Sequence, residues 1–239
     1  MIRASSLDRL LECNGSLVLP NDAPRSQTSI EAAEYGTAAH AYVENIEDYL
    51  QDVTHPKLAR KLSMSPDSEH QLRALYTLPG HPTREGHYAY GAGGALRYVG
   101  EGWDDFRAAF PGITGTCDYV VDDGTELFVD DLKTGRFPPN PRSWQIRFYA
   151  LCAWLIAGKP AVTTVSVTHW PFYPLAGVPK RKRSVLNHAD HAETQRRLDE
   201  LIARPTEFVV GTHCKFCPAR TNCEAYNRSE KIDDEGNSW

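Results

Sequence analysis

Long apolar runs are missing from this sequence, and with them any candidate membrane span. The first residues, Met1-Ile2-Arg3-Ala4-Ser5-Ser6, lack the apolar core of a secretory signal, so a cytoplasmic location is expected. An excess of positive charge is missing too. The 26 Lys and Arg stand against 31 Asp and Glu, a net charge of −5. That balance excludes a generic histone-like binder but leaves room for a local basic groove, because the distribution of charge matters more than its sum. Cysteine is scarce, with 6 in 239 residues. So few, in a cytosolic chain, do not make a disulfide framework, and closely spaced ones point instead to metal or cluster ligation. There is no internal repeat and no Walker A motif. Gly91-Ala92-Gly93-Gly94 is not one, since no lysine follows and no helix opens there.

What is present reads as one folded unit over residues 1–239. Ser5-Ser6 starts a short helix with Leu7, Leu10 and Leu11 on its apolar side. It ends near Cys13-Asn14-Gly15, where Asn-Gly favours a turn. Residues 20–30 read as a polar loop. Thr37 caps a helix to about Leu50, with Ala39, Val43, Ile46 and Leu50 as its buried stripe. Residues 52–84, broken by Pro56, Pro66, Pro79 and Pro82, read as a variable insertion. Strands follow at His87–Tyr90, Leu96–Val99, Ile113–Val121 and Glu126–Leu132, with strong turn signals at Gly91–Gly94 and Asp122–Thr125. A helix that is apolar nearly all round starts at Pro141 or Ser143 and runs to about Ala157. Ala161–Trp170 is β-rich, Arg183–Leu186 is a short strand, and Asn187–Ala203 is an amphipathic helix. Lys180-Arg181-Lys182-Arg183, the densest basic run, suits a solvated loop and a basic groove equally. Residues 227–239 read as a flexible tail. This order of elements implies an α/β fold, a central mixed β-sheet flanked by helices.

The chemistry gathers in the middle of the chain. Gly115-Thr116-Cys117-Asp118 precedes Asp131-Leu132-Lys133, and Gln145-Ile146-Arg147-Phe148-Tyr149 follows. Asp118 and Asp131 lie where adjacent strands end or bend, so their carboxylates can converge and hold a divalent ion. Such an ion neutralises a phosphodiester and lowers the pKa of water. Strand alternation puts Lys133 on the face of Asp131 and turns Leu132 into the core. A free-base role for Lys133 needs a pKa near 7–8, whereas adjacent carboxylates push it upward. Lys133 is therefore expected to position and to stabilise charge. On the preceding helix, His40, Glu44 and Glu47 share one face. Near the C-terminus, Cys214-x2-Cys217-x5-Cys223 sets three soft ligands in one knot. A fourth partner is needed, and His213 is one candidate. Cys117 and Cys152 read as packing residues.

These motifs, in this order, resemble the PD-(D/E)XK nucleases of the RecB/AddB branch, most of all the iron–sulfur exonucleases found beside CRISPR systems and related phage-encoded proteins. The likeness runs from Leu7 to Cys223; Asp130 is an extra acid before the D-x-K motif. The resemblance implies a restriction-endonuclease-like core and adds His40, in Gly36-Thr37-Ala38-Ala39-His40, to Asp118 and Asp131 as a ligand for Mg2+ or Mn2+. It marks Gln145 and Tyr149 as a Q-x3-Y motif facing substrate. It supplies Cys13 as the fourth thiolate, with a 4Fe-4S cluster favoured over structural Zn2+. Residues 1–20 and 205–226 would then form one knot. It implies an exonuclease on single-stranded DNA or DNA ends, in phage or mobile-element recombination, repair or end processing, with a helicase or recombination partner. Arg142, Trp144 and Arg147 would line the strand's path, and Arg136 adds to that basic cluster. The alternative is a non-catalytic DNA- or protein-binding module with a structural zinc or iron–sulfur site.

Overall fold

Two strands organise the molecule, and the turn between them is written in three polar residues. Asp122 Oδ1 accepts the Gly124 amide at 2.9 Å, and Asp123 Oδ1 accepts those of Thr125 and Glu126 at 2.8 and 2.7 Å. Gly124 takes the left-handed conformation this turn requires, with φ 84°. The computed structural model describes residues 2–19, 27–44, 70–71, 74–76, 81–135, 139–171 and 179–234.

Among the described residues the sheet has seven strands: β1 (Ile2–Arg3), β2 (His81–Gly91), β3 (Gly94–Tyr98), β4 (Ile113–Asp122), β5 (Glu126–Lys133), β6 (Val162–His169) and β7 (Lys180–Leu186). The order is β3-β2-β4-β5-β6-β7, and β1 joins β4 in parallel. β5 and β6 are parallel and the remaining pairs antiparallel, so the sheet is mixed as expected. The helices are α1 (Leu7–Leu10), α2 (Gln27–Glu44), α3 (Trp103–Ala109), α4 (Trp144–Ile156), α5 (His188–Ala203) and α6 (Glu224–Asp234). None is long and apolar enough to cross a membrane.

Helices cover both faces. On one, α4, α1 and α5 bury Leu7, Leu10, Phe148, Leu151 and Leu198 against Leu127, Val129 and Val165. On the other, α2 buries Ala39, Tyr42 and Val43 with Tyr119, Phe128, Leu132 and Trp170. Each large side chain buried this way contributes roughly 1.5–3 kcal/mol. β5 is therefore buried on both sides. Its alternation sends Leu127 and Val129 to one cluster, Phe128 and Leu132 to the other.

Several boundaries differ from those the sequence suggests. α2 begins at Gln27, so Thr37 lies inside a helix rather than at its start. The Thr37 hydroxyl donates to the Ala33 carbonyl at 3.0 Å, which satisfies it without a cap. Ile46, Glu47 and Leu50 lie outside the described residues, as does most of 52–84. The strand read as starting near 87 starts at His81. Pro82 is tolerated because β3 pairs only with residues 87–91, leaving one flank of β2 without a strand partner there among the described residues. The basic run 180–183 forms the first half of β7 rather than a loop. α3, absent from the sequence reading, opens after Gly102 (φ 84°) with Asp104 and Asp105 in its first turn. Helical structure continues past residue 227, through Asp234. Arg228 pairs with Glu224 one turn earlier, at 2.8 Å.

Candidate active site

The site opens where two strands part. β4 and β5 pair from Asp122↔Leu127 to Tyr119↔Asp130, and no further. The same edge of β4 meets β1 only at Ile113 and Thr114. Gly115–Asp118 are thus left without a strand neighbour on that side among the described residues, while β2 still backs them on the other. The separation frees the backbone N–H of Leu132, and Asp118 Oδ2 accepts it. A carboxylate so held keeps its second oxygen for other work.

That second oxygen, Oδ1, lies 2.8 Å from His40 Nδ1 of α2. Glu85 Oε1 of β2 lies 3.8 Å from the same nitrogen. One ligand atom from each of His40, Glu85 and Asp118 falls within 4.8 Å of the others. Two carboxylates and an imidazole suit a divalent cation, so the residues present fit the expected metal. Glu44 extends this cluster along the helix; it lines the same open cleft with His40, Glu85 and Thr134. Burial and the charge of Glu85 raise the Glu44 carboxyl above its usual range. Gly36 lets the helix approach, since a Cβ there would sit 3.1 Å from Thr134 Oγ1.

Asp131 and Lys133 stand together on β5, their charged ends in contact. Asp131 is buried, and burial lifts its carboxyl to about 7 despite the ammonium beside it; the charge of Asp118 adds to the rise. Burial lowers Lys133, but the two carboxylates outweigh it and the net shift is upward. The protonated form of Lys133 is thereby favoured. Burial also pulls His40 down, yet Asp118, Glu85 and Asp131 carry it up to about 10.

Below the parted strands lies α4. Its first free amide, at Trp144, is capped from a distance by Asp8 Oδ1 at 3.0 Å. Gln145 Nε2 donates to the Tyr149 hydroxyl at 3.1 Å. Tyr149 is buried beside Gly115, where a Cβ would come within 2.8 Å of its ring and 2.6 Å of Ala4 Cβ. The glycine of the Gly115–Asp118 motif therefore makes room for the tyrosine of the Q-x3-Y motif. Cys117 and Cys152 are buried thiols whose pKa burial raises, consistent with packing.

The basic residues proposed to line a strand's path are engaged within the protein. Arg142 pairs with Asp190 and donates to Val185 O. Arg147 donates to Thr194 Oγ1 and lies over the Trp144 ring, 4.6 Å from its centre. Together they lock α4 to α5 and β7. Arg136 lies outside the described residues. In the other basic run, Arg181 turns inward to Asp130.

Cys13, Cys214, Cys217 and Cys223 line one small cavity, with Arg9 and Ser16. All four are free thiols. The seam that brings them together is made by Asn14, whose amide donates to Pro205 O at 3.0 Å and accepts from the Glu207 N–H at 2.8 Å. Gly15 N–H donates to Glu207 O, and a Cβ on Gly15 would collide with Phe208 at 2.4 Å. Asn14-Gly15 is thus a docking surface rather than a simple turn. Four soft donors in one cavity fit a thiolate-bound metal group.

Glu85 is the site residue that the sequence did not reveal. No motif marks it, and its position in a strand would normally give no hint. It adopts φ 47° between Arg84 and Gly86, which pair with Tyr119 and Cys117 and so set it level with Asp118. Such a conformation is uncommon outside glycine and marks a local constraint.

No curated protein matches the chain in sequence. Among solved structures, the protein SSO0001 is similar with 12% identity and a TM-score of 0.37, over 79% of this chain and 85% of that one. So slight a likeness carries no inference. The family model of the PD-(D/E)XK nuclease superfamily matches residues 4–224, which take in every site residue named above. Nucleases of this superfamily use divalent metals such as Mg2+, for which His40, Glu85 and Asp118 form a suitable group. With the match spanning both the parted strands and the cysteine seam, the chain belongs to the PD-(D/E)XK nuclease superfamily.

Proposed function

We propose that this nuclease is a metal-dependent DNA exonuclease of the RecB/AddB-like branch, acting on single strands or DNA ends. The observation that carries the reading is the convergence of His40, Glu85 and Asp118 at the point where β4 and β5 part, with Asp131 and Lys133 beside them. His40, Glu85, Asp118 and Asp131 would hold Mg2+ or Mn2+, which when bound neutralises the phosphodiester and acidifies water. Lys133, held protonated, places positive charge where charge builds on phosphorus. Gln145 and Tyr149 brace the floor of the site through their mutual hydrogen bond.

The order of the motifs supports the branch, and the four cysteines support a 4Fe-4S cluster that ties the two ends of the fold. A role in recombination or end processing, in phage or mobile elements and beside a helicase, follows from the branch.

The test is digestion of single- and double-stranded DNA by anaerobically purified protein, with Mg2+, Mn2+ or chelator, against the K133A variant. Metal-dependent loss of single-stranded DNA from its ends, abolished in K133A, is expected. Undiminished digestion by K133A, or none by a fully loaded wild type, would overturn the assignment; the latter outcome favours a binding module.

A further inference from the structure

Two residues that line the cysteine cavity carry a polar atom with no partner among the described residues. Arg9 Nη1 and Ser16 Oγ are buried without hydrogen-bond partners, and both side chains line the cavity with Cys13, Cys214, Cys217 and Cys223. An unpaired buried donor costs roughly 1–3 kcal/mol, and more when it is charged. Their placement follows from local structure. The Cys13 N–H donates to the Arg9 carbonyl at 2.9 Å, the helical i, i+4 bond that sets both side chains on one face. Ser16 lies in the short turn that follows, three residues past Cys13.

Other groups of the lining have partners. Cys13 Sγ accepts from the Val209 N–H at 3.4 Å, and Cys214 Sγ from the Gly211 N–H at 3.4 Å. Arg220, on the same cavity, lies over the Tyr226 ring at 5.7 Å. Thiolates bound to a metal retain negative charge, and hydrogen bonds to them tune both retention and potential.

We propose that Arg9 is a positioning residue that donates through Nη1 to a sulfur of the anionic metal–thiolate group held by the four cysteines, with Ser16 Oγ as a second donor. The inference rests on the cysteines being a cluster site and concerns what keeps the cluster there. A guanidinium beside the cluster favours its more reduced, more negative state. Removing it makes the potential more negative and speeds release of iron.

The test compares full-length wild type, R9K, R9Q and S16A, reconstituted anaerobically with iron and sulfide. Iron and sulfide are counted, release to a chelator is timed by visible absorbance, and the reduction potential is measured by spectroelectrochemistry. R9Q is expected to lose its cluster about tenfold faster than wild type and at a more negative potential, with R9K between them. A wild type that takes up neither iron nor sulfide overturns the cluster reading itself. A loaded R9Q with wild-type release and potential overturns the role of Arg9 alone. Should R9Q fail to fold, S16A decides: faster release supports the donor pair, and unchanged release refutes it.

Discussion

Asp130 and Asp131 are neighbours on one strand, both buried, and they live by different rules. Asp130 accepts hydrogen bonds from Ser166, from Thr168 at 2.8 Å and from Arg181 at 3.2 Å. Arg181 is itself held by Tyr76 and Phe128, with 5.1 Å from its guanidinium to each ring centre. Asp131, on the opposite face, has the ammonium of Lys133 and the repulsion of Asp118. One carboxylate is fully satisfied, and the other is buried at a standing cost. Alternation along β5 is enough to separate them. The first arrangement is an ion pair that builds the scaffold; the second is a buried carboxyl raised by desolvation, the kind of group that a bound cation would relieve.

The sharpest way to break this contrast is to neutralise each aspartate's side of the strand in turn. D131N is expected to lower DNA cleavage by about 10³-fold while the unfolding free energy from urea titration stays within about 1 kcal/mol of wild type. R181M should do the reverse. An uncompensated Asp130 in the core costs about 3–5 kcal/mol of stability, with specific activity retained by the folded fraction. If R181M matched wild type in a denaturant titration, the pair would not be structural. A D130L/R181M double variant should recover part of that loss, leaving the hydroxyls of Ser166 and Thr168 as the residual cost.

G115A probes the space between the two motifs. Its new methyl group meets Ala4 and Tyr149, for a loss of about 1–3 kcal/mol and a fall in cleavage rate, read from the same melts and digestions. The last effect is confined to one pH window and lies in the scaffold. His191 is buried against Trp154, and desolvation holds it down to about 4. The neutral ring is favoured in the fold, so its contribution is complete above the unfolded pKa of about 6.5 and is lost as pH falls from there toward 4. Stability measured across that window should decline less steeply in H191Q than in wild type.

How much of this was legible beforehand depends on the range of the interaction. The turn at Asp122–Thr125, the start of the helix at Asn187 and the buried helix α4 are set by neighbours in sequence, and the residue pattern located them within a few positions. The Asp118, Asp131 and Lys133 group was readable because strand alternation fixes which side chains share a face. Glu85 was not readable, because it joins the site through a backbone conformation and a cross-strand register rather than through a motif. The inward turn of Arg181 was not readable for a related reason. A basic run looks solvated until a buried acid across the sheet claims one of its members. Thr37 resembled a cap because the sequence alone does not say whether a hydroxyl turns forward or back along a helix.

The seam at Asn14 has a consequence for the order in which the protein can be made. Its partners, Pro205 and Glu207, lie more than 190 positions away, with separations of 191 and 193. During synthesis the short helix before Asn14 emerges first and waits, because the segment that receives it follows some 191 residues later. Contacts of such sequence separation form late, and closing so long a loop is slow even where its equilibrium cost is modest. Cys13 therefore stays apart from the other three cysteines of its cavity until that later segment has been made. Docking of residues 205–223 through Asn14 is the step that brings the four thiols together, so the cavity is assembled after the strands between them rather than before.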